Sequence, residues 1–194
     1  MKLTYLMSVF AVACVALPLS SAKASEKGIR SYTEIVNNNI SVEEVKKAID
    51  GWGAALLAIS AEYETNGAAA ARTLAENVVD SAYGYNMGAV LFKPTLTSGD
   101  QTFRTNRQGA IAYFVGGDAR FPNDGGFAIK GWKRFDYRKA AIYINGDMAL
   151  TMGNVMLTDS NGKVTTVDKT WGFKKDNKGN LRIVLHHSSL PYTP

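Results

Sequence analysis

Between Val42 and Tyr63 the apolar residues Val42, Val45, Ile49, Trp52, Leu56, Ile59 and Tyr63 return at steps of three and four. That spacing puts them on one face of a long helix. Ser41-Val42-Glu43-Glu44 stands at its start and matches a capping box, in which the serine hydroxyl caps a free amide and Glu44 reaches back. Asn66-Gly67 ends the helix, because glycine accepts the left-handed cap. A second helix follows from Ala68 to about Asp80, with Leu74 and Val78 on its buried side and an alanine-rich start suited to close packing against the first.

The period then changes. Ala89–Thr97 reads as extended, with Pro94 confining it to an edge or a strand end. Arg107–Phe114 is a short helix ended by Gly116-Gly117, and Pro122–Gly126 is a loop. From Phe127 the pattern is that of strands: Phe127–Phe135 and Ala140–Ile144, or one long strand bent near Tyr137, then Met148–Leu157, Val164–Phe173 and Leu181–Ser188. The turns between them are Asn145-Gly146-Asp147, Asn161-Gly162 and Asp176–Asn180; an Asn-Gly step between alternating runs is a strong hairpin signal. The predicted architecture is α+β: long N-terminal helices packed on one face of a strongly curved antiparallel sheet, leaving a cone-shaped cavity between them. The irregularity at Asp136–Lys139 is a candidate for the bulge that curves it.

Composition changes the picture mainly at the N-terminus. Lys2, the apolar run Leu6–Leu17 and the Ala22-Lys23-Ala24 step read as a secretory signal peptide over residues 1–24, with Ser25 the first mature residue and a periplasmic or secreted protein as the consequence. Residues 25–40 form a polar leader segment, and 41–191 form the domain. The one cysteine, Cys14, lies in the signal peptide, so disulfides, a cysteine nucleophile and a thiolate metal site are excluded from the mature chain. The net charge of +5 includes Lys2 and Lys23, so the mature excess is mild. The nearest basic run, Lys130 to Lys139, is interrupted by Trp132, Phe135 and Tyr137 and reads as strand alternation, which argues against nucleic acid as a partner. No remaining apolar run is long enough to insert in a bilayer after cleavage.

The layout resembles the NTF2-like (SnoaL-like) superfamily. The segments Gly146-Asp147-Met148-Ala149, Thr170–Phe173 and Arg182–Pro191 are similar to the association domain of calcium/calmodulin-dependent kinase II and its bacterial relatives. The resemblance implies a cone-shaped fold and a homo-oligomer, a dimer or larger. Where that association domain carries an arginine after its last-strand histidine, this chain has Ser188. The strand 148–157 also lacks the second arginine, being apolar apart from Thr151 and Asn154.

The two histidines, His186 and His187, are adjacent, and neighbours on a regular strand point to opposite faces. They cannot share a metal unless a bulge turns one, and no metal or cofactor is expected. Leu181, Ile183, Leu185 and His187 share one parity, assigned to the core and cavity; Arg182, Val184 and His186 take the other. His187 is read as a hydrogen-bonded core or pocket-rim histidine or, functionally, as a general acid or base. On the preceding strand Thr165, Val167, Lys169, Trp171 and Phe173 share a face. Trp171 then lines the cavity or the plain core, and Lys169 lies at the mouth or is simply solvated, the latter being favoured. Trp132 and Arg134 share a parity on an earlier strand, and Tyr83 and Tyr113 come from the helical side. Aromatic walls with a few polar groups suit a small-molecule ligand, and they also suit a large core.

Two functions follow. The first is an exported domain that oligomerises through the outer face of its sheet, where Met148, Leu150, Met152 and Met156 fall, and binds a small molecule in its cone. The alternative is an enzyme of isomerase, dehydratase or hydrolase type using His187. The first is preferred, because no recognisable catalytic set is visible.

Overall fold

The computed structural model describes residues 37–194, apart from the side chains of Lys139 and Ala140. The signal peptide and the first part of the polar leader segment therefore lie outside the described residues. The helical part is α1, Val42–Ala82, and α2, Arg107–Val115; the strands are β1, Leu91–Lys93, β2, Trp132–Asn145, β3, Met148–Asp159, β4, Val164–Lys175, and β5, Leu181–Ser189. They form one sheet in the order β1-β5-β4-β3-β2. This is the expected α+β architecture.

The capping box forms as its chemistry requires: the Ser41 hydroxyl accepts from the Glu44 amide at 3.1 Å, and the Ser41 amide donates to the Glu44 carboxylate at 2.7 Å. The two expected helices are two halves of α1. They meet at Gly67, whose φ of 81° and ψ of −173° break the helix without an intervening loop. In the first half Val45, Ile49, Trp52, Leu56 and Ile59 are buried, while Val42 and Tyr63 at the ends of the stripe are exposed. In the second half the buried face is Ala71, Ala75 and Val79, with Leu74 and Val78 only partly buried beside it. Small side chains take the positions of closest approach. The same holds at Gly53, where any Cβ would overlap the Phe135 ring of β2.

The four long strands pair antiparallel, and the edge strand β1 joins β5 in parallel. Phe127–Ile129 forms a 3-10 turn rather than the start of a strand; β2 begins only after Gly131, whose φ is +75°. Beyond it β2 is continuous, and its register shifts between Arg138 and Ala141, next to the expected bend.

Trp52, Tyr83, Phe92, Tyr113, Phe114, Trp171 and Phe173 pack into one buried cluster with the aliphatic core. The expected cone between helix and sheet is thus largely filled. An apolar cavity of about 10 Å³ remains beside Trp52, Leu56, Ala75, Tyr83 and Phe114, about the room a single water needs.

Candidate functional site

The site grows from an irregularity in β5. Phe173 pairs with Ile183, but its neighbour Gly172 pairs with Leu185, so Val184 is an extra residue on β5. A bulge of this kind reverses the alternation beyond it. Ile183 faces inward, and so do His186 and Ser188, while His187 is exposed. The inward assignment of Leu185 and His187 is therefore corrected: parity carried unchanged past Val184 selects the wrong histidine. Gly172 makes room for the bulge, since a Cβ there would lie 2.9 Å from the Leu185 Cβ.

The C-terminal end of α1 docks at the same bulge. The Gly84 amide donates to the Ile183 carbonyl at 2.9 Å, which sets Tyr83 against His186. The Tyr83 hydroxyl lies 2.8 Å from His186 Nδ1 and accepts from the Trp52 indole N–H at 3.0 Å. On the other side of the ring, His186 Nε2 is 2.8 Å from Lys169 Nζ on β4. Phe92 of β1, in register with His186, stacks on the imidazole at 4.4 Å between centroids.

Lys169 is 2% exposed and sits over the faces of Trp52 and Trp171, at 4.8 and 5.5 Å from the ring centroids. The favoured expectation of a solvated lysine is thus corrected; the shared parity with Trp171 carries it inward. Burial, with the charge of Lys93 adding to it, brings its pKa down to about 7. Burial holds the His186 pKa well below the usual histidine value, reinforced by the Lys169 charge. A weaker depression at His187 has the same first cause.

A second polar group adjoins the first. Ser188, in register with Lys169, places its hydroxyl 2.6 Å from the Thr95 hydroxyl. Lys93 Nζ donates to the Ser188 carbonyl at 3.1 Å. From α2 the Tyr113 hydroxyl points at Thr95 and the Leu96 backbone. It meets hydrogen-bond geometry to neither and is buried without a partner. Thr95 also lines an open cleft of about 470 Å³ with Phe127, Trp132, Lys130 and Lys163. Thr95 is thus the member of the hydroxyl group that borders this cleft.

Of the residues singled out in the sequence, Tyr83, Tyr113, Lys169 and Trp171 come together here. Trp132 is buried, donates its indole N–H to the Phe127 carbonyl at 2.7 Å and lines the open cleft. Arg134 does not share its face: a register shift between Trp132 and Arg134 turns it outward, where it pairs with Asp136 at 3.1 Å. Sequence reasoning missed His186, Ser188, Thr95 and Trp52 as site residues. For the first two the available signal was Gly172, since an interior strand glycine marks a bulge or a close approach. Among the described residues no three of His, Cys, Asp and Glu come together to hold a metal ion.

Residues 43–190 match the family model for metal-independent carbonic anhydrase. The chain belongs to the metal-independent carbonic anhydrase family. A family member from Nostoc sp. is 58% identical over 160 residues, spanning 82% of this chain and 78% of that protein. The crystal structure of a cyanobacterial iota-carbonic anhydrase complexed with bicarbonate superposes with a TM-score of 0.82. It is 56% identical and covers 84% of this chain and all of its own. An NTF2-like protein of unknown function from Pseudomonas putida, 12% identical with a TM-score of 0.51 over 78% of this chain and 87% of its own, shows the shared fold. The NTF2-like resemblance thus holds for the fold, and the more specific family is the carbonic anhydrase one rather than the kinase association domain. Membership of this enzyme family overturns the preferred reading of a non-enzymatic binding and scaffolding domain.

His187→Gln is expected to leave both the melting temperature and any CO2 hydration rate within error of the parent. The exposed side chain makes none of the hydrogen bonds described, and surface changes of this kind stay within about 0.5 kcal/mol. Thermal melts and stopped-flow assays check it; a large loss of rate would restore His187 to the site.

Proposed function

We propose that this chain catalyses the reversible hydration of carbon dioxide to bicarbonate without a metal ion. The observation that carries the reading is the unpartnered Tyr113 hydroxyl beside the Thr95–Ser188 hydroxyl pair. Attack of water on the carbon of CO2 puts negative charge on its oxygens. Preoriented hydroxyl donors in a dry site stabilise that charge strongly. A buried donor with nothing to donate to is a place kept for such an oxygen. The relative complexed with bicarbonate supports the same ligand here.

The attacking water must also lose a proton. His186 is kept uncharged because burial disfavours its cation, and its Nδ1 lies on the Tyr83 hydroxyl, so a proton reaches the imidazole through that hydroxyl and not directly from the water. The outer cleft carries Lys130 and Lys163 against one carboxylate, Asp159, an excess of positive charge that favours entry and exit of an anion. Stopped-flow measurement of CO2 hydration in a pH-indicator buffer containing a metal chelator tests the proposal. Acceleration above the buffer blank that survives the chelator is expected; a rate equal to the blank overturns it.

We propose further that copies associate through the outer face of the sheet. Tyr143, Leu150 and Met152 are 65%, 44% and 64% exposed there, and such a run of apolar side chains is costly to leave in water. Native mass measurement at micromolar concentration is expected to give a dimer or larger, and a strict monomer removes the idea. With residues 1–24 read as a signal peptide, the proposed place of action is the periplasm or the medium. Protein recovered there is expected to begin at Ser25 by intact mass; a chain retaining Met1 would refute export by cleavage.

A further inference from the structure

Trp52, Tyr83, His186 and Lys169 form one hydrogen-bonded file, with separations of 3.0, 2.8 and 2.8 Å, and all four side chains are buried. The direction of each bond follows from counting protons. An indole N–H only donates, so the Tyr83 oxygen must accept from Trp52. The one hydroxyl proton of Tyr83 is then available to His186 Nδ1. If Nδ1 accepts it, the proton of the neutral imidazole lies on Nε2, and Nε2 can only donate. Its partner must then offer a lone pair. An uncharged lysine amine has one and an ammonium has none.

With Lys169 charged, every bond beyond Tyr83 reverses. The ammonium donates to Nε2, the imidazole proton moves to Nδ1, and Nδ1 donates to Tyr83. The Tyr83 oxygen then accepts twice and its own proton has no acceptor in the file. The uncharged state gives each bond of the file one donor and one acceptor and leaves the two amine N–H groups over the faces of Trp52 and Trp171; the charged state strands the Tyr83 proton as well, in an interior where an unmade hydrogen bond is costly.

We propose that Lys169 is the positioning residue of the site: its uncharged amine accepts from Nε2 and so holds His186 as the Nε2–H tautomer with Nδ1 facing the Tyr83 hydroxyl. One proton added to Lys169 reverses the file and moves the imidazole proton to the other nitrogen. The groups facing Lys169 are consistent with easy loss of that proton. From α1 it meets the Trp52 ring, from β5 the His186 ring and, beyond it, Tyr83, and from β1 the positive charge of Lys93. The carboxylate on its own strand, Asp168, accepts from Asn154 at 2.7 Å instead. Burial and Lys93 together place the lysine pKa at about 7, so the reversal falls in the physiological range. The consequence for turnover rests on the hydration reading above; the tautomer itself does not.

The test uses the His187→Gln protein, in which His186 is the one remaining histidine. Ring-nitrogen NMR of the 15N-labelled protein is followed from pH 9 to pH 6. The expected result is an Nε2–H imidazole at pH 9 that converts to Nδ1–H as the pH falls through about 7. Adding Lys169→Met, which fits an apolar side chain of similar length between the two indoles, is expected to abolish the conversion. A ring that keeps one tautomer throughout, or the same conversion in the methionine variant, overturns the proposal. In stopped-flow assays Lys169→Met is expected to lower kcat about 10- to 100-fold with little change in KM, as for partners that fix imidazole tautomers elsewhere, and to remove the limb of the pH profile near 7. If the parent converts its tautomer but hydrates no CO2, the hydration reading falls and the role of Lys169 stands.

Discussion

Replacing Tyr113 with phenylalanine is expected to lower kcat/KM for CO2 hydration by about 10²- to 10³-fold, the cost of one oxyanion donor, while the melting temperature stays level or rises. The two effects separate because of the state of the hydroxyl in the ligand-free protein. It is buried and unpaired, and burying a polar group without a partner costs about 1–3 kcal/mol. Phenylalanine keeps the ring, which stacks on Phe127 at 5.5 Å and meets Phe92 edge-on at 5.7 Å. It removes only the orphaned atom. A gain of about 1 kcal/mol corresponds to a shift of about 2–4 °C in a domain of this size. Thr95→Val behaves differently, because the Thr95 hydroxyl is paired with Ser188; its loss orphans the serine and lowers stability and rate together. Stopped-flow assays and thermal melts on the two variants check both statements. Tyr113→Phe with full activity would show that its hydroxyl faces no reacting oxygen.

The fold was legible because its signals are local. The capping box, the apolar stripe from Val45 to Ile59 and the Asn-Gly turns each depend on residues a few positions apart, and each has its counterpart in the structure. The site was legible only where strand parity ran unbroken. On β4 the run Val167, Lys169, Trp171, Phe173 alternates without a slip, and parity brings Lys169 and Trp171 inward together. On β5 and at the start of β2 a single extra residue inverts the alternation. His187 and Arg134 were consequently assigned to faces they do not occupy. The Thr95–Ser188 contact lies beyond any pattern of this kind. It joins a residue just past an edge strand to one 93 positions later, through the parallel pairing of β1 with β5. A meander read from consecutive hairpins contains no such pairing. The preference for a non-enzymatic domain has the same origin, since the site is made of hydroxyls, an imidazole and an amine from five separate stretches of the chain and leaves no contiguous motif.

The largest loss of stability is expected from His186→Leu, about 3–5 kcal/mol at pH 6, the cost of breaking a buried pair from one side. Leucine removes the acceptor of Lys169 and the partner of the Tyr83 hydroxyl, leaving an amine and a phenol in an aromatic interior. Adding Lys169→Met is expected to recover most of that loss, because an apolar pair of similar volume has no charge to desolvate. The pH dependence gives this comparison its sign. The folded-state pKa of Lys169 is about 7 against an ordinary value of 10.5. Between those limits the unfolded chain holds a proton that the folded chain does not, so stability rises with pH across the window, and below about 7 the full penalty is present. His186, held well below its ordinary 6.5, acts in the same direction at lower pH: the unfolded imidazole protonates first and folding loses ground. Both groups therefore make acidification destabilising in the parent. The double variant lacks both and is expected to show the flatter profile from pH 10 to pH 5. Urea unfolding at several pH values measures it directly. Parallel profiles for parent and double variant would mean that neither group titrates differently in the folded protein. The Lys169–His186 contact would then be an ordinary hydrogen bond rather than a device that places a proton.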